Sequence, residues 1–315
     1  LVGSEMCIRD RNWAVNARQC GSAIKPVSTY APALDNGTIN GASVIDDYPM
    51  LLNGEVWPRN ANWRYQGLTA LHTAIAQSLN TCAVRTNLAY GVSNSYDFLV
   101  DKLGFENLTY TDSQQVGNMA LGGFEKGVTT EEMSAAYAAF VNEGVYTKPR
   151  TFIRVEDANG NVVLENEAQS TVAMKNTTAA IINHLLQEAA LNGTGYEAQF
   201  SGMHIAGKTG STNSNKDRYF VGYTPYYSCA VWAGYEHNQR IVASGNPCSA
   251  VFRKVMSAIH EDLPDKDFFS CSGLTSVSVC ADSGMLASEN CALDVRGSRV
   301  YTALVAADNA PTAVC

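Results

Sequence analysis

His204-Ile205-Ala206-Gly207-Lys208-Thr209-Gly210-Ser211, followed by Asp217-Arg218-Tyr219-Phe220-Val221-Gly222-Tyr223-Thr224-Pro225, is the stretch from which the fold is read. Residues 204–211, 219–223 and 228–235 have the aromatic and β-branched character of successive antiparallel strands. On the first of them an ammonium, two hydroxyls and a glycine share one strand edge. Lys208, Thr209 and Ser211 can give a carboxylate charge-assisted hydrogen bonds. Gly210 lets a substrate backbone come close, and the edge offers ladder hydrogen bonds to an extended peptide. The stretch therefore predicts a dock for a peptide that ends in a carboxylate.

Ser22-Ala23-Ile24-Lys25 is the one Ser-x-x-Lys in the chain. Residues 22–35 read as a helix that stops at Asn36-Gly37. The lysine then lies one turn from the serine on the same face. A hydroxyl is a poor nucleophile at its own pKa, and an amine can activate it if burial or a second cation lowers the amine's pKa. The start of a helix also aims backbone N–H groups at any oxyanion formed there. The plainer reading is a helix-capping serine and a surface lysine. Ser78-Leu79-Asn80 is less distinctive, because Ser-x-Asn recurs at Ser211, Ser244 and Ser288. Its context selects it. Leu68, Leu71, Ile75 and Leu79 have helical spacing, and Cys82, Val84 and Leu88 extend an apolar face toward Gly91. A Ser/Asn pair at the joint of two buried helices is rigidly placed, unless both side chains merely cap the second helix.

These three elements, in this order, resemble the signature of the serine acyl-transfer superfamily of penicillin-binding proteins and serine β-lactamases. The finer resemblance is to the transpeptidase domain of class A, bifunctional penicillin-binding proteins. It runs through Arg18-Gln19-Cys20-Gly21-Ser22, Trp57-Pro58-Arg59-Asn60, Ala76-Gln77-Ser78-Leu79-Asn80-Thr81 and Ala120-Leu121-Gly122-Gly123. Gly127-Val128-Thr129, Met133, residues 135–140, Gly193-Thr194-Gly195 and residues 216–225 continue it. The resemblance implies an α/β fold of the α+β type: an antiparallel sheet flanked by helices, with an all-helical lobe. It implies Ser22 as the acylated nucleophile, Lys25 as its base, Ser78 as a proton relay and Asn80 as the group orienting Lys25 and the substrate amide. Lys208 would anchor the relay and, with Thr209, Gly210 and Ser211, hold the donor's carboxylate. The N–H groups of Ser22 and Ser211 would form the oxyanion hole. Serine replaces the family's usual threonine at 211 and keeps the hydroxyl, whereas Cys20 stands where the family has proline.

The implied substrates are peptidoglycan stem peptides ending in D-Ala-D-Ala, with β-lactams as covalent inhibitors and no cofactor. The implied place of work is the extracytoplasmic face of the bacterial membrane, reached through an anchor not in this chain. In the family, a glycosyltransferase domain and two strands precede the serine–lysine helix. The chain therefore reads as truncated before its first strands, with an open or altered sheet edge. A β-lactam sensor without turnover and a carboxypeptidase or β-lactamase are the alternatives. No glutamate is assignable to the water-activating role of a class A β-lactamase.

The bounds agree. The 315 residues are 46% hydrophobic and 17% charged, enough for one large packed domain and a small appendage. A net charge of −8 argues against a nucleic-acid surface. No run of 18 apolar residues marks a membrane span. The five histidines lack ligand spacing and no Cys-x-x-Cys occurs, so no metal site is expected. Nine cysteines leave at least one unpaired. Cys280, Cys291 and Cys315 could supply a disulfide to a terminal appendage, while Cys82 and Cys229 read as small core residues. Residues 1–11 read as foreign sequence, 12–264 as the transpeptidase domain and 265–315 as a tail or appendage. Local signals add a capped helix from Thr129-x-x-Glu132 to about Glu143, a hairpin over 152–165, helices over 176–191 and 251–261, and a poorly packed tail from Phe268.

Overall fold

A computed structural model describes residues 12–52 and 54–315. Residues 1–11, and with them the expectation that they are foreign, lie outside the described residues. The central sheet is antiparallel, with Asp217–Tyr223 between Ala206–Ser211 and Ser228–Gly234. Alternation along the middle strand sends its side chains to two layers. Tyr219, Val221 and Tyr223 enter the main core, where Tyr223 meets Tyr137 and Phe140 of the Thr130–Val141 helix. Phe220 points the other way and packs edge-on against Phe252 of the Pro247–Ile259 helix, ring centroids 4.7 Å apart. Both faces are covered, which is why the strand reads as almost continuously apolar.

The expected open edge is half-buried along all of Ser228–Gly234. Trp13 stacks on Trp232 at 5.2 Å, and the Arg18 guanidinium lies 5.0 and 4.9 Å from those two rings. Arg18 also donates to the carbonyls of Tyr235 and Glu236, both at 3.1 Å.

The local signals place most helices. Thr129 and Glu132 form the reciprocal cap, the Thr129 hydroxyl accepting from the Glu132 N–H at 3.0 Å and the Glu132 carboxylate from the Thr129 N–H at 2.7 Å. The helix over Asn176–Leu191 has the expected bounds. The last large helix starts earlier than expected, at Pro247, because Asn246 caps it (Oδ1 accepting from the Cys248 N–H at 3.0 Å) and proline suits the first position. The hairpin pairs Arg154–Glu156 with Val162–Glu165.

Two readings need correction. Leu68 belongs to the Gly67–Ala70 strand, and it and Leu88 are exposed, so the apolar helical face is carried by Leu71, Ile75, Leu79, Cys82 and Val84. The segment from Phe268 is not a loose tail. Leu274–Cys280 pairs with Val300–Ala306, and Val279, Ala303 and Val305 bury themselves together with Ala42. Its cover comes from residues far away in sequence, which no local pattern reveals.

Candidate active site

The helical run that carries Ser22 and Lys25 spans the expected residues but changes type along its length. A 3-10 turn (Gly21–Ile24) passes into a π-turn (Pro26–Tyr30) and then into the α-helix Ala31–Asp35. Pro26 and Pro32 donate no N–H, so the i→i−4 ladder cannot run through them and the register widens between them. The Tyr137 hydroxyl donates to the Ala23 carbonyl at 2.6 Å and fixes the run to the Thr130–Val141 helix.

Three glycines bring main chains into direct contact around the serine. A Cβ on Gly21 (φ +55°) would lie 2.4 Å from the Ser211 carbonyl oxygen, and one on Gly210 would lie 2.1 Å from that of Cys20. A Cβ on Gly122 would lie 2.3 Å from the Gly21 carbonyl oxygen. The Ala206–Ser211 strand is thus seated directly on the start of the serine helix.

Lys25 is fully buried. Its ammonium donates to the Asn80 Oδ1 at 2.7 Å and to the Ser78 carbonyl at 2.8 Å, with the Ser78 hydroxyl and the Leu79 carbonyl both at 3.4 Å. These partners meet because Ser78 adopts a left-handed backbone (φ +59°) between the Leu71–Ala76 and Asn80–Tyr90 helices, turning the joint toward Lys25. Burial, reinforced by the charge of Lys208, holds the Lys25 pKa well below the usual lysine range. The Ser22 hydroxyl, half-buried, is not among the hydrogen-bond partners of the ammonium. A lysine whose pKa is lowered in this way loses its proton more readily, and a neutral amine offers a lone pair that can accept one.

Lys208 is 1% exposed, and burial lowers its pKa to about 7. Its ammonium lies 3.3 Å from the Thr209 carbonyl and 3.5 Å from the hydroxyls of Thr209 and Thr194, which bond to each other at 2.7 Å. Arg218 donates to the Ser211 hydroxyl at 3.0 Å. Hydrogen bonds thus join Lys25, Ser78 and Asn80 in one group and Lys208 and Thr209 in another, with the Lys208 charge close enough to lower the Lys25 pKa. The competing Ser288 stands just before a short helix in the C-terminal lobe, its hydroxyl 3.5 Å from the Cys291 sulfur, and Ser244 precedes the Asn246 cap.

No local pattern assigns a role to Thr194, to Arg218 or to the support behind Asn80. The Asn80 N–H donates to Asn60 Oδ1 at 2.7 Å, and its side-chain amide donates to the Arg59 carbonyl at 2.7 Å. Asn60 donates in turn to the buried Asp47 at 2.7 Å, which also accepts from Thr81. Gly193-Thr194-Gly195 and Trp57-Pro58-Arg59-Asn60 were visible as family-like stretches, without a signal for what they touch.

The Lys208 environment has a measurable cost. An ordinary lysine pKa is 10.5 and that of Lys208 is about 7. The unfolded chain therefore binds this proton more tightly, and folding carries the full penalty below pH 7 and sheds it as pH rises toward 10.5. Lys208→Met should be more stable than the parent at low pH. The gap should close by about 1.4 kcal/mol per pH unit above neutrality in urea unfolding. A gap independent of pH would put the ammonium in water and overturn the assignment.

With this geometry in place, relatives can be compared. A family model described as the penicillin-binding protein transpeptidase domain matches residues 4–257, and one described as the penicillin-binding protein 1A C-terminal domain matches residues 270–315. The chain belongs to the penicillin-binding protein transpeptidase family. It is 35% identical over 314 residues to penicillin-binding protein 1A of Clostridium perfringens, covering 95% of this chain and 37% of that protein. It is 32% identical over 268 residues to penicillin-binding protein 1A/1B of Bacillus subtilis, covering 80% of this chain and 29% of that protein. The chain thus spans about a third of the length of the curated relatives it matches. Its fold resembles that of penicillin-binding protein 1A from Haemophilus influenzae, with a TM-score of 0.79 at 22% identity, covering 96% of this chain and 50% of that one. It also resembles PonA1 from Mycobacterium tuberculosis in complex with penicillin V, with a TM-score of 0.71 at 23% identity, covering 84% and 75%.

Proposed function

We propose that this chain is the D,D-transpeptidase part of a peptidoglycan-synthesising enzyme, working through an acyl-enzyme on Ser22. The observation that carries the reading is the buried Lys25, held by Ser78 and Asn80 and kept deprotonation-prone by burial and by Lys208. Neutral Lys25 accepts the Ser22 proton as the Ser22 oxygen attacks the carbonyl between the two D-alanines of a donor peptide. Ser22 lies in the first turn of its helix, where backbone N–H groups have no intrahelical acceptor, so its N–H is available to the oxyanion, with that of Ser211 opposite. The proton passes through the Ser78 hydroxyl to the leaving D-alanine amine as the C–N bond breaks. Lys208, Thr209 and Ser211 hold the terminal carboxylate across Gly210. An amine of a neighbouring stem then attacks the ester, its proton returning along the same path, and Ser22 is released.

β-Lactams fit the same dock, since they present a strained amide and a carboxylate. The partners of Lys25 are carbonyls, an amide and a hydroxyl, not a carboxylate of the kind that holds a deacylating water. That favours transfer to an amine over hydrolysis. We place the transpeptidase domain at residues 12–264 and the appendage at 265–315. We assign the work to the outer face of the cytoplasmic membrane, although no helix among the described residues is long and apolar enough to cross a membrane. The test is the partition of a D-Ala-D-Ala donor between an added amine and water. Aminolysis should dominate at millimolar acceptor. Release of free acid unaffected by acceptor would make the chain a hydrolase, and acylation without release of either product would make it a sensor.

A further inference from the structure

Away from the catalytic cleft, three thiols from separate parts of the C-terminal lobe meet. Cys280 ends the Leu274–Cys280 strand, Cys291 lies in the Glu289–Ala292 helix, and Cys315 sits beside them both. Their sulfur atoms all lie within 4.8 Å of one another. Three thiolates on one zinc ion at about 2.3 Å stand roughly 3.8 Å apart, so only a small contraction separates this cluster from a coordination shell.

The scaffold around the sulfurs is tied down. The Gly284 N–H closes a turn on the Cys280 carbonyl at 2.8 Å, and the Cys280 N–H bonds the Met285 carbonyl at 2.9 Å. The Arg299 N–H donates to the Cys291 carbonyl at 2.8 Å, and Leu286 exchanges bonds with Ala313 and Cys315, both at 2.9 Å. Three thiols this close cannot all ionise unless a cation lies between them.

We propose that Cys280, Cys291 and Cys315 form a three-thiolate site for a thiophilic divalent cation of the zinc class, which clasps the segment around Cys315 to the Leu274–Cys280 and Val300–Ala306 hairpin. The fourth position falls to water. The Asp282 carboxylate is already taken, by Arg299 at 2.7 Å and by Arg296. Cys280 and Cys291 are buried and Cys315 is exposed, which gives the ion a way in. A disulfide is the competing use of these residues. All three are free thiols, and a bond between any two would leave the third sulfur stranded against it.

The test uses the full chain purified under a reductant and without chelator. One equivalent of zinc is expected by elemental mass spectrometry, and cobalt(II) in its place should show thiolate charge-transfer bands and the absorption of a tetrahedral ion. Cys291→Ser should weaken zinc at least about tenfold in chelator competition, whereas Cys271→Ser, outside the cluster, should not. If Cys291→Ser fails to fold, Cys315→Ser, at the exposed side, carries the same expectation. Less than a tenth of an equivalent of zinc after supplementation overturns the site. So does zinc retained undiminished in both cluster variants, or a disulfide among these cysteines by peptide mapping of protein purified without reductant but with zinc.

Discussion

Penicillin should add one drug mass to Ser22 of the folded chain, and Ser22→Ala should show none in intact-mass measurement. The expectation rests on the half-buried hydroxyl at the start of the Gly21–Ile24 turn, one turn from a fully buried amine. Loss of the nucleophile in a catalytic constellation that acts as a unit costs on the order of 10⁶ in rate, because the other members have nothing left to activate. Ser78→Ala leaves the nucleophile and its base in place and removes only the relay. It should slow acylation by about 10²–10⁴ and still give the adduct on Ser22 after long exposure. An adduct on any other residue, or one that survives Ser22→Ala, would overturn the mechanism.

The two buried lysines should fail in different ways. Lys25→Ala should lower acylation by about 10²–10⁴, the usual worth of a general base, while a non-reactive carboxylate ligand still docks. Lys208→Ala should weaken that docking, because it removes the cation on the carboxylate strand, and should slow acylation as well. The pH profile separates the two effects. As a base Lys25 would work only when neutral, and the charge of Lys208 helps to keep its pKa low. Without Lys208 the Lys25 pKa rises, so the acid limb of the acylation profile should move to higher pH in Lys208→Ala. Equal loss of docking in both variants, with no movement of the acid limb, would make both lysines anchors.

Much of this was legible where the determinants are local. The Lys208-Thr209-Gly210-Ser211 strand, the Thr129/Glu132 cap and the Asn176–Leu191 helix each carry their own signal within a few residues. Ser22, Lys25, Ser78 and Asn80 were named from short patterns, and the structure unites three of them by hydrogen bonds at Lys25. What stayed hidden was set by distance along the chain. Thr194 reaches Lys208 from 14 residues away, and Asp47 reaches Asn60 and Thr81 across 13 and 34. The three-thiol cluster showed no ligand spacing because its members are spread over 280–315 and meet only once the hairpin has folded. The mixed 3-10 and π character of the serine helix was concealed for another reason: its apolar pattern is that of a helix, and only the two prolines alter the ladder.

The glycine contacts around Ser22 limit how such a site can change under antibiotic pressure. Gly21, Gly122 and Gly210 place main chain against main chain, with a hypothetical Cβ at 2.4, 2.3 and 2.1 Å from a carbonyl oxygen. A side chain can be trimmed or enlarged to turn away an inhibitor, but here the wall next to the nucleophile has no side chain to edit. Any substitution there would push the Ala206–Ser211 strand off the start of the serine helix and, on the proposed mechanism, take the reaction with it. On the proposed mechanism, escape by point mutation would therefore be channelled outward, to positions such as Thr194 and Arg218 whose side chains reach Lys208 and Ser211.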